Sequence, residues 1–326
     1  MKMIIAIDGG GTKTHLGVFD LEGRLLYQGL STGCNHQSLG VETYRMVIEQ
    51  IVNDACDALN IELHQIIYAH LGISGADLPE DFQRLNEATK KIFKEVPFEI
   101  ENDAWLILRS GLKNAFGAVT ISGTGTNSAA MNEQGQKAIL RSLGFTLGIY
   151  GGGLDIAREA LHYAFRADEL TYKKTRLMEE IPKLLGADTM ADIVSKFYPT
   201  PHVDRHQLGK ITALTFRLAS EGDEVSIEII ERVGMFLGYQ TAGVIKQVGA
   251  EDKAIPVVIG GRVFEEGTHH LTDQMLLYLR KEVPKAYLVR PIYTPMVGAY
   301  LRALDHLGVA QDETIEKHLE EMRIKR

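Results

Sequence analysis

Two glycine–threonine turns set the tightest limit on what this chain can become. Gly9-Gly10-Gly11-Thr12 follows the apolar run Met3–Ile7 and Asp8, and Gly123-Thr124-Gly125-Thr126 follows Val119–Ser122. Each resembles a phosphate loop, yet neither leads into a helix. A P-loop needs G-x-x-x-x-G-K-[ST] running into a helix whose first amides meet the phosphates, whereas His15–Phe19 and Asn127–Met131 read as strands. Both turns therefore join strand to strand. A polar hairpin turn follows in each copy, at Leu21-Glu22-Gly23 and at Asn132-Glu133-Gln134-Gly135. The start of the chain is repeated in its middle, which implies two similar α/β halves.

The first half reads as strands over Met3–Asp8, Lys13–Phe19 and Arg24–Gln28, a helix over Val41–Leu59, a strand over Ile66–Ile73, a helix over Glu80–Lys94 and a strand over Phe98–Glu101. After the second hairpin, helical periodicity covers Asp155–Phe165, Leu177–Leu185, Met190–Lys196, His206–Ala219 and Asp223–Val248. A strand at Ala254–Ile259 then ends in Gly260-Gly261-Arg262, and a last helical stretch spans Met296–Leu307. With 326 residues, 45% of them hydrophobic, the chain exceeds the size at which one core usually stops growing. The expected division is 1–116 and 117–295, with a C-terminal helix near 296–326 packing back on the first part.

In a tight hairpin, glycines permit positive φ and close approach, so that backbone N–H groups form an anion-binding nest. Thr12, Thr124 and Thr126 would add hydroxyl donors. Two such hairpins facing each other make a clamp for a polyphosphate; the plain alternative is two tight turns. A formal net charge of −8 excludes a nucleic-acid footprint and points to a small-molecule partner. Cys34 and Cys56 give no disulfide framework and fit a reducing compartment. The apolar start is broken by Asp8, and no run reaches the ~18 residues of a membrane span. A cytoplasmic location without membrane attachment is expected.

The motifs "DGGGTKT" (Asp8–Thr14), "SGTGTNS" (Ser122–Ser128) and "VIGGRVF" (Val258–Phe264) resemble the phosphate 1, phosphate 2 and adenosine motifs of the actin/Hsp70/sugar-kinase superfamily. "GLSTGCNHQSLG" (Gly29–Gly40) is similar to the sugar loop of N-acetylglucosamine kinases, as are "GISGAD" (Gly72–Asp77), "END" (Glu101–Asp103) and "PMVGAYLRAL" (Pro295–Leu304). The broader grouping is the BadF/BadG/BcrA/BcrD ATPases, which holds both amino-sugar kinases and dehydratase activators. The resemblance implies a duplicated actin-like ATPase (ribonuclease H-like) α/β fold, two lobes with a nucleotide cleft between them. It also implies ATP and Mg²⁺ as cofactors and phosphoryl transfer to N-acetylglucosamine or a related N-acetylhexosamine, at the 6-hydroxyl by analogy.

Onto this sequence the resemblance carries ATP binding by Gly9, Gly10, Gly11, Thr12, Lys13, Thr124, Gly125, Thr126, Gly260, Gly261 and Arg262. It makes Asp103 the proton-accepting base. Sugar contacts fall to Asn35, Ser74, Gly75, Asp77, Asn102 and Asp103, with Thr124 and Asn127 near the acceptor end. Asp8 would hold Mg²⁺ through water, because that ion prefers oxygen ligands and keeps part of its hydration shell. Residue chemistry alone leaves alternatives open. Asp8 reads equally as satisfying turn amides, Lys13 as a solvated lysine, Asn102 or Asp103 as a helix cap, and Asn35, Ser74 and Asp77 as ordinary turn residues.

The pattern is broken in two places. Where kinases of this family carry Gly-Gly-Trp-Gly and then Gly-Asp-Glu-Gly-Ser, this chain reads "SLGFTLGIYGGG" from Ser142 to Gly153, so Ile149 and Tyr150 stand at the acidic positions. Asp155 lies nearby as a substitute acceptor. Gln37 stands where a tryptophan often follows Asn-His. The acceptor sugar therefore stays open among N-acetylglucosamine, glucosamine, N-acetylmannosamine and N-acetylmuramic acid, as does a homodimeric state. His202 and His206 lie four apart but lack the glutamate and third ligand of a zinc site. An iron–sulfur activator would need closely placed cluster cysteines from each subunit, and a weakly catalytic sugar sensor would explain the lost acidic pair.

Overall fold

The computed structural model describes residues 2–114, 116–200, 202–266 and 269–324. The alternating first segment folds as β1 (Met3–Gly9), β2 (Lys13–Asp20) and β3 (Leu25–Thr32), followed by α1 (His36–Leu39), α2 (Val41–Leu59), β4 (Ile66–Ile73), α3 (Pro79–Phe93), β5 (Phe98–Glu101) and α4 (Ala104–Gly111). The order in the sheet is β3-β2-β1-β4-β5. β1 is antiparallel to β2 and parallel to β4, and β4 is parallel to β5.

β1 is apolar at every inner position because both sheet faces are covered. Ile5 and Ile7 join the core built with α2 and α3, whereas Ile4 and Ala6 join a second core on the opposite face. The two-residue period of a strand divides them. α2 reaches its side through Tyr44, Ile48, Ile51, Val52 and Ala55, buried at helical spacing.

The following segment builds β6 (Gly117–Ser122), β7 (Thr126–Met131), β8 (Lys137–Ile139), α5 (Gly153–Asp168), α6 (Leu177–Leu184), α7 (Met190–Phe197), α8 (Arg205–Ser220), α9 (Glu224–Gln247), β9 (Pro256–Gly260), α10 (Arg262–Glu265), α11 (His269–Glu282) and β10 (Tyr287–Val289). Its sheet order is β10-β9-β6-β7-β8, with β6 parallel to β9 and β7 antiparallel to β8. Read from its other edge, it repeats the first sheet's order, as expected for a duplicated fold. The chain then returns to the first unit as α12 (Pro295–Leu307) and α13 (Glu313–Glu320). Residues 1–117 with 289–326 form one compact unit and 118–288 the other.

Several expectations are corrected here. β3 runs on to Thr32, inside the stretch assigned to the sugar loop. α11 and β10 are additional elements. The expected helix near 296–326 is two helices, broken where Gly308 caps α12 in the left-handed conformation at φ 67°; residues 325 and 326 lie outside the described residues. α12 closes the second face of the first sheet, and its Tyr300 ring stacks on Phe19 at 4.3 Å.

α9 and α11 approach closely because glycines face the contact. A Cβ on Gly234 would lie 2.5 Å from Leu271 O, and one on Gly238 would lie 2.6 Å from Met275 O. Gly238→Val should force the helices apart and destabilise the protein by about 1–3 kcal/mol. The expected reading is a lowered denaturation midpoint at unchanged slope.

Candidate active site

In the first unit, Asp8 and Gly9 stand at the C-terminal end of the central strand β1, and the turn closes with the Gly10 N–H donating to Lys13 O at 2.9 Å. Two neighbouring loops hold this hairpin. The Ser74 N–H donates to Gly9 O at 2.8 Å and the Cys34 N–H to Gly10 O at 3.0 Å. A Cβ on Gly9 would stand 2.7 Å from both Cys34 Sγ and Ile73 Cδ1, and one on Gly33 would stand 2.3 Å from Gly11 O. The hairpin thus rests directly on the loop after β3, which leaves Gly11, Thr12 and Lys13 exposed. None of Gly9, Gly10, Gly11, Gly123 or Gly125 has positive φ. The nest expectation therefore needs correcting: none of these glycines supplies left-handed backbone, Gly9 and Gly10 allow close approach, and a Cβ on Gly11, Gly123 or Gly125 would meet nothing within 4 Å. Gly33, whose missing side chain seats the hairpin, was not singled out in the sequence because only tertiary contact reveals its role.

The same loop orders Asn35, whose Oδ1 accepts from the N–H groups of Gln37 (3.0 Å) and Ser38 (3.2 Å) and caps α1, while its Nδ2 donates to Ser74 Oγ at 3.4 Å. Gln37 donates to Gly75 O at 2.9 Å and to Asp81 Oδ2 at 3.1 Å, and His36 Nε2 lies 2.9 Å from Asp81 Oδ1. Gln37 therefore ties the loop to the start of α3.

β5 ends in Glu101 and passes through Asn102 and Asp103 into α4. Asn102 Oδ1 accepts from the Ala104 N–H at 3.0 Å, and its Nδ2 donates to Asp77 Oδ1 at 2.8 Å. Asn102 is buried and engaged within the protein on both sides of its amide. The capping role thus falls to Asn102, and no side-chain cap bond engages the Asp103 carboxylate.

Burial and like charge act on Asp103 together. Desolvation, then the charges of Asp8 and Asp77, push it up to about 7, although the backbone N–H groups of Ala104 and Asp103 itself pull it down somewhat. Burial pushes Asp8 up to about 6 against the opposing charge of Lys13. Burial and the charge of Asp81 push Asp77 up to about 6, with Gln37 and His36 opposing. Three carboxylates that resist ionisation are thus gathered in one unit, the environment in which proton-transfer chemistry and cation binding are found. No hydrogen bond to the Asp8 carboxylate occurs among the described residues, so its oxygens are available to a hydrated divalent cation. No group of three or more metal-ligating side chains is found there, and Mg²⁺ fits that sparse donor set because it retains water and phosphate ligands.

In the second unit, the Gly123 N–H donates to Gly125 O at 2.8 Å, and the Gly153 N–H donates to Gly123 O at 2.8 Å. The hairpin sits on the start of α5 so closely that a Cβ on Gly152 would be 2.5 Å from Gly125 Cα. Gly261, at φ 94°, presses on the same strand end; its Cβ would be 2.4 Å from Ser122 O. Gly260 to Arg262 thus adjoin the second hairpin. Thr124 and Gly125 are exposed, but Thr126 is buried and its hydroxyl donates to Ile121 O at 2.6 Å. Thr126 is therefore not the free donor expected. Asn127 is also buried, with Oδ1 accepting from the Ser128 N–H at 2.8 Å. Arg262 projects into solvent and pairs with Glu266 at 3.4 Å.

The family model of the BadF/BadG/BcrA/BcrD ATPases matches residues 5–303. The chain belongs to this ATPase family. It is 29% identical over 316 residues to the N-acetyl-D-glucosamine kinase of Dictyostelium discoideum, covering 93% of this chain and 98% of that one. It is 25% identical over 303 residues to the N-acetylmuramic acid/N-acetylglucosamine kinase of Clostridium acetobutylicum, with the same coverage. A crystal structure of a proposed N-acetylglucosamine kinase from Chromobacterium violaceum superposes with a TM-score of 0.72 at 17% identity, covering 92% of this chain and 98% of that one.

Within the BadF/BadG/BcrA/BcrD ATPase family, this member's departures have local explanations. Ile149 and Tyr150 are buried in the second unit, where the Tyr150 hydroxyl donates to Glu159 Oε1 at 2.7 Å. Asp155 accepts from the N–H groups of Gly151 and Gly152 at 3.1 Å each, so it serves the start of α5. Cys34 is buried, and desolvation followed by the charges of Asp8 and Asp103 pushes its thiol up to about 11 against a Thr14 hydrogen bond.

Proposed function

We propose that this chain is an ATP-dependent amino-sugar kinase that phosphorylates N-acetylglucosamine or a related N-acetylhexosamine at the 6-hydroxyl. One observation carries the reading. Asp103, at the exit of β5, keeps a desolvated carboxylate unengaged by any cap, while its neighbour Asn102 takes over the capping and holds Asp77. The relatives named as N-acetyl sugar kinases support the substrate class.

Asp103 accepts the proton of the sugar hydroxyl as that oxygen bonds to the γ-phosphorus and the bridging oxygen leaves with ADP. Because such transition states are loose, holding the hydroxyl in line matters more than basicity. Each hairpin by itself offers an exposed end to phosphate, Gly11 to Lys13 in the first unit and Thr124 to Gly125 in the second. Asp8 would hold Mg²⁺, which would supply neutralisation of phosphate charge. Asn35, Ser74 and Asp77 orient the sugar. The test is ADP release across N-acetylglucosamine, glucosamine, N-acetylmannosamine, N-acetylmuramic acid and glucose. The highest kcat/KM is expected for N-acetylglucosamine, with the 6-phosphate as product by NMR. ADP release no faster with any amino sugar than without one would refute the reading.

A further inference from the structure

The stretch Pro295–Leu304 lies in α12, which is buried along most of its length. It grips the helix that Asp103 begins. Leu106, one turn into α4, is wedged between two glycines. A Cβ on Gly298 of α12 would lie 2.1 Å from Leu106 O, and one on Gly72 of β4 would lie 2.2 Å from Leu106 Cδ1. The backbones of α12 and α4 therefore meet with no side chain between them.

One turn beyond Gly298, Arg302 forks onto Glu101, with Nε donating to Oε1 at 2.7 Å and a terminal nitrogen donating to Oε2 at 2.9 Å. His70 of β4 meets the same carboxylate at 2.9 Å. At the far end of α4, Arg109 forks onto Asp305 of α12 at 2.9 and 3.1 Å, and Arg302 lies 3.6 Å from the same Asp305. α12 thus holds the end of β5 that leads into α4 and the far end of α4, with the close glycine contact between them.

Side chains on Glu101 and Arg302 are 6% and 13% exposed. Isolated buried charges are strongly unfavourable, but such a pair adds little net stability over apolar residues of the same shape. What it adds is geometry, because a bidentate guanidinium–carboxylate contact fixes both partners in plane. Burial would raise the Glu101 carboxyl, but hydrogen bonds from His70 and Arg302 hold it well below the usual range. The clamp is therefore ionic near neutral pH.

We infer that Arg302 is a positioning residue for phosphoryl transfer. Through its fork on Glu101, with Gly298 setting the approach of α12, it fixes the β5–α4 junction and so the aim of Asp103. This rests on the kinase reading given above. Misplacing a reacting group by about 1 Å costs on the order of 10² in rate, and a lysine in place of Arg302 would keep the charge without the planar fork.

Arg302→Lys should therefore lower kcat about 10- to 100-fold while KM for ATP stays within about twofold. In an Asp103→Asn background the same change should cost less than about twofold, because the group it aims has gone. A merely structural residue would lose activity only with the folded fraction, and its loss would multiply in both backgrounds. Glu101→Gln combined with Arg302→Met removes the charged fork while keeping an amide partner for His70, and should show the same loss of kcat should the single variant melt early. Folded Arg302→Lys or paired variant with kcat within twofold of wild type overturns the inference, as do multiplying losses in the double variant. A wild-type protein inactive on every amino sugar would instead overturn the kinase reading itself.

Discussion

Asp103→Asn should yield a protein that is more stable at pH 8 than the wild type and almost inert. As the base in the proposed transfer, the carboxylate should be worth about 10²–10⁴ in kcat. Asparagine is isosteric but cannot accept the proton at neutral pH. Stability moves the other way because burial and the charges of Asp8 and Asp77 raise this group to about 7 in the folded state. A carboxyl whose folded pKa exceeds its unfolded value contributes stability below about pH 4, and that contribution is lost as pH rises through about 7. At pH 8 the wild type carries the whole penalty of ionising Asp103, and the neutral amide carries none. After discounting for solvent access, the gain is about 2 kcal/mol, and it should shrink towards zero by pH 4. Melting curves at pH 4, 6 and 8 beside steady-state rates test both halves. A variant less stable than wild type at pH 8, or one that keeps a tenth of its kcat, would contradict the assignment of Asp103. A residue present only to cap α4 would show the reverse: a loss of about 1 kcal/mol with little change in rate.

What could be read from the sequence follows how local each feature is. The two hairpins and the repeated strand order were legible because strand alternation and polar turns are written within a few residues. α2, α5 and α9 were legible for the same reason, through helical spacing of apolar residues. α11 was missed: its buried stripe is narrow, Leu271, Met275 and Leu279, and Leu277 is 52% exposed beside it, which blurs the period. The signal that locates it is the pair Gly234 and Gly238 on α9, which makes sense only once a partner backbone is known. The same limit applies to the site. Asp8, Asn102 and Asp103 stand at visible strand ends. Whether Thr126 is free, whether Asp155 serves a sugar or a helix start, and which of Asn102 and Asp103 caps α4 are decided by hydrogen bonds no motif records. Arg302 is the extreme case, since its partner Glu101 lies 201 residues away.

The pH profile gives the other large effect. If Asp103 must be ionised, kcat/KM for the sugar should fall towards tenfold per unit below pH 7, about 100-fold from the plateau by about pH 5. Asp77 and Asp8 rise for related reasons, so the three titrate as a set, and the observed limb belongs to the set. As pH falls, Asp103 takes the first proton, which relieves the other two. Asp77→Asn removes one negative neighbour from Asp103 and should move the acid limb down by on the order of one pH unit. The plateau should fall at the same time if Asp77 also contacts the sugar. Those effects separate cleanly, because a lost sugar contact lowers the whole curve without moving its inflection. Titration of ATP itself would leave the inflection in place in both proteins. An acid limb that stays fixed in Asp77→Asn would mean that these carboxylates do not share a field, and that proton acceptance lies elsewhere than at the β5 exit.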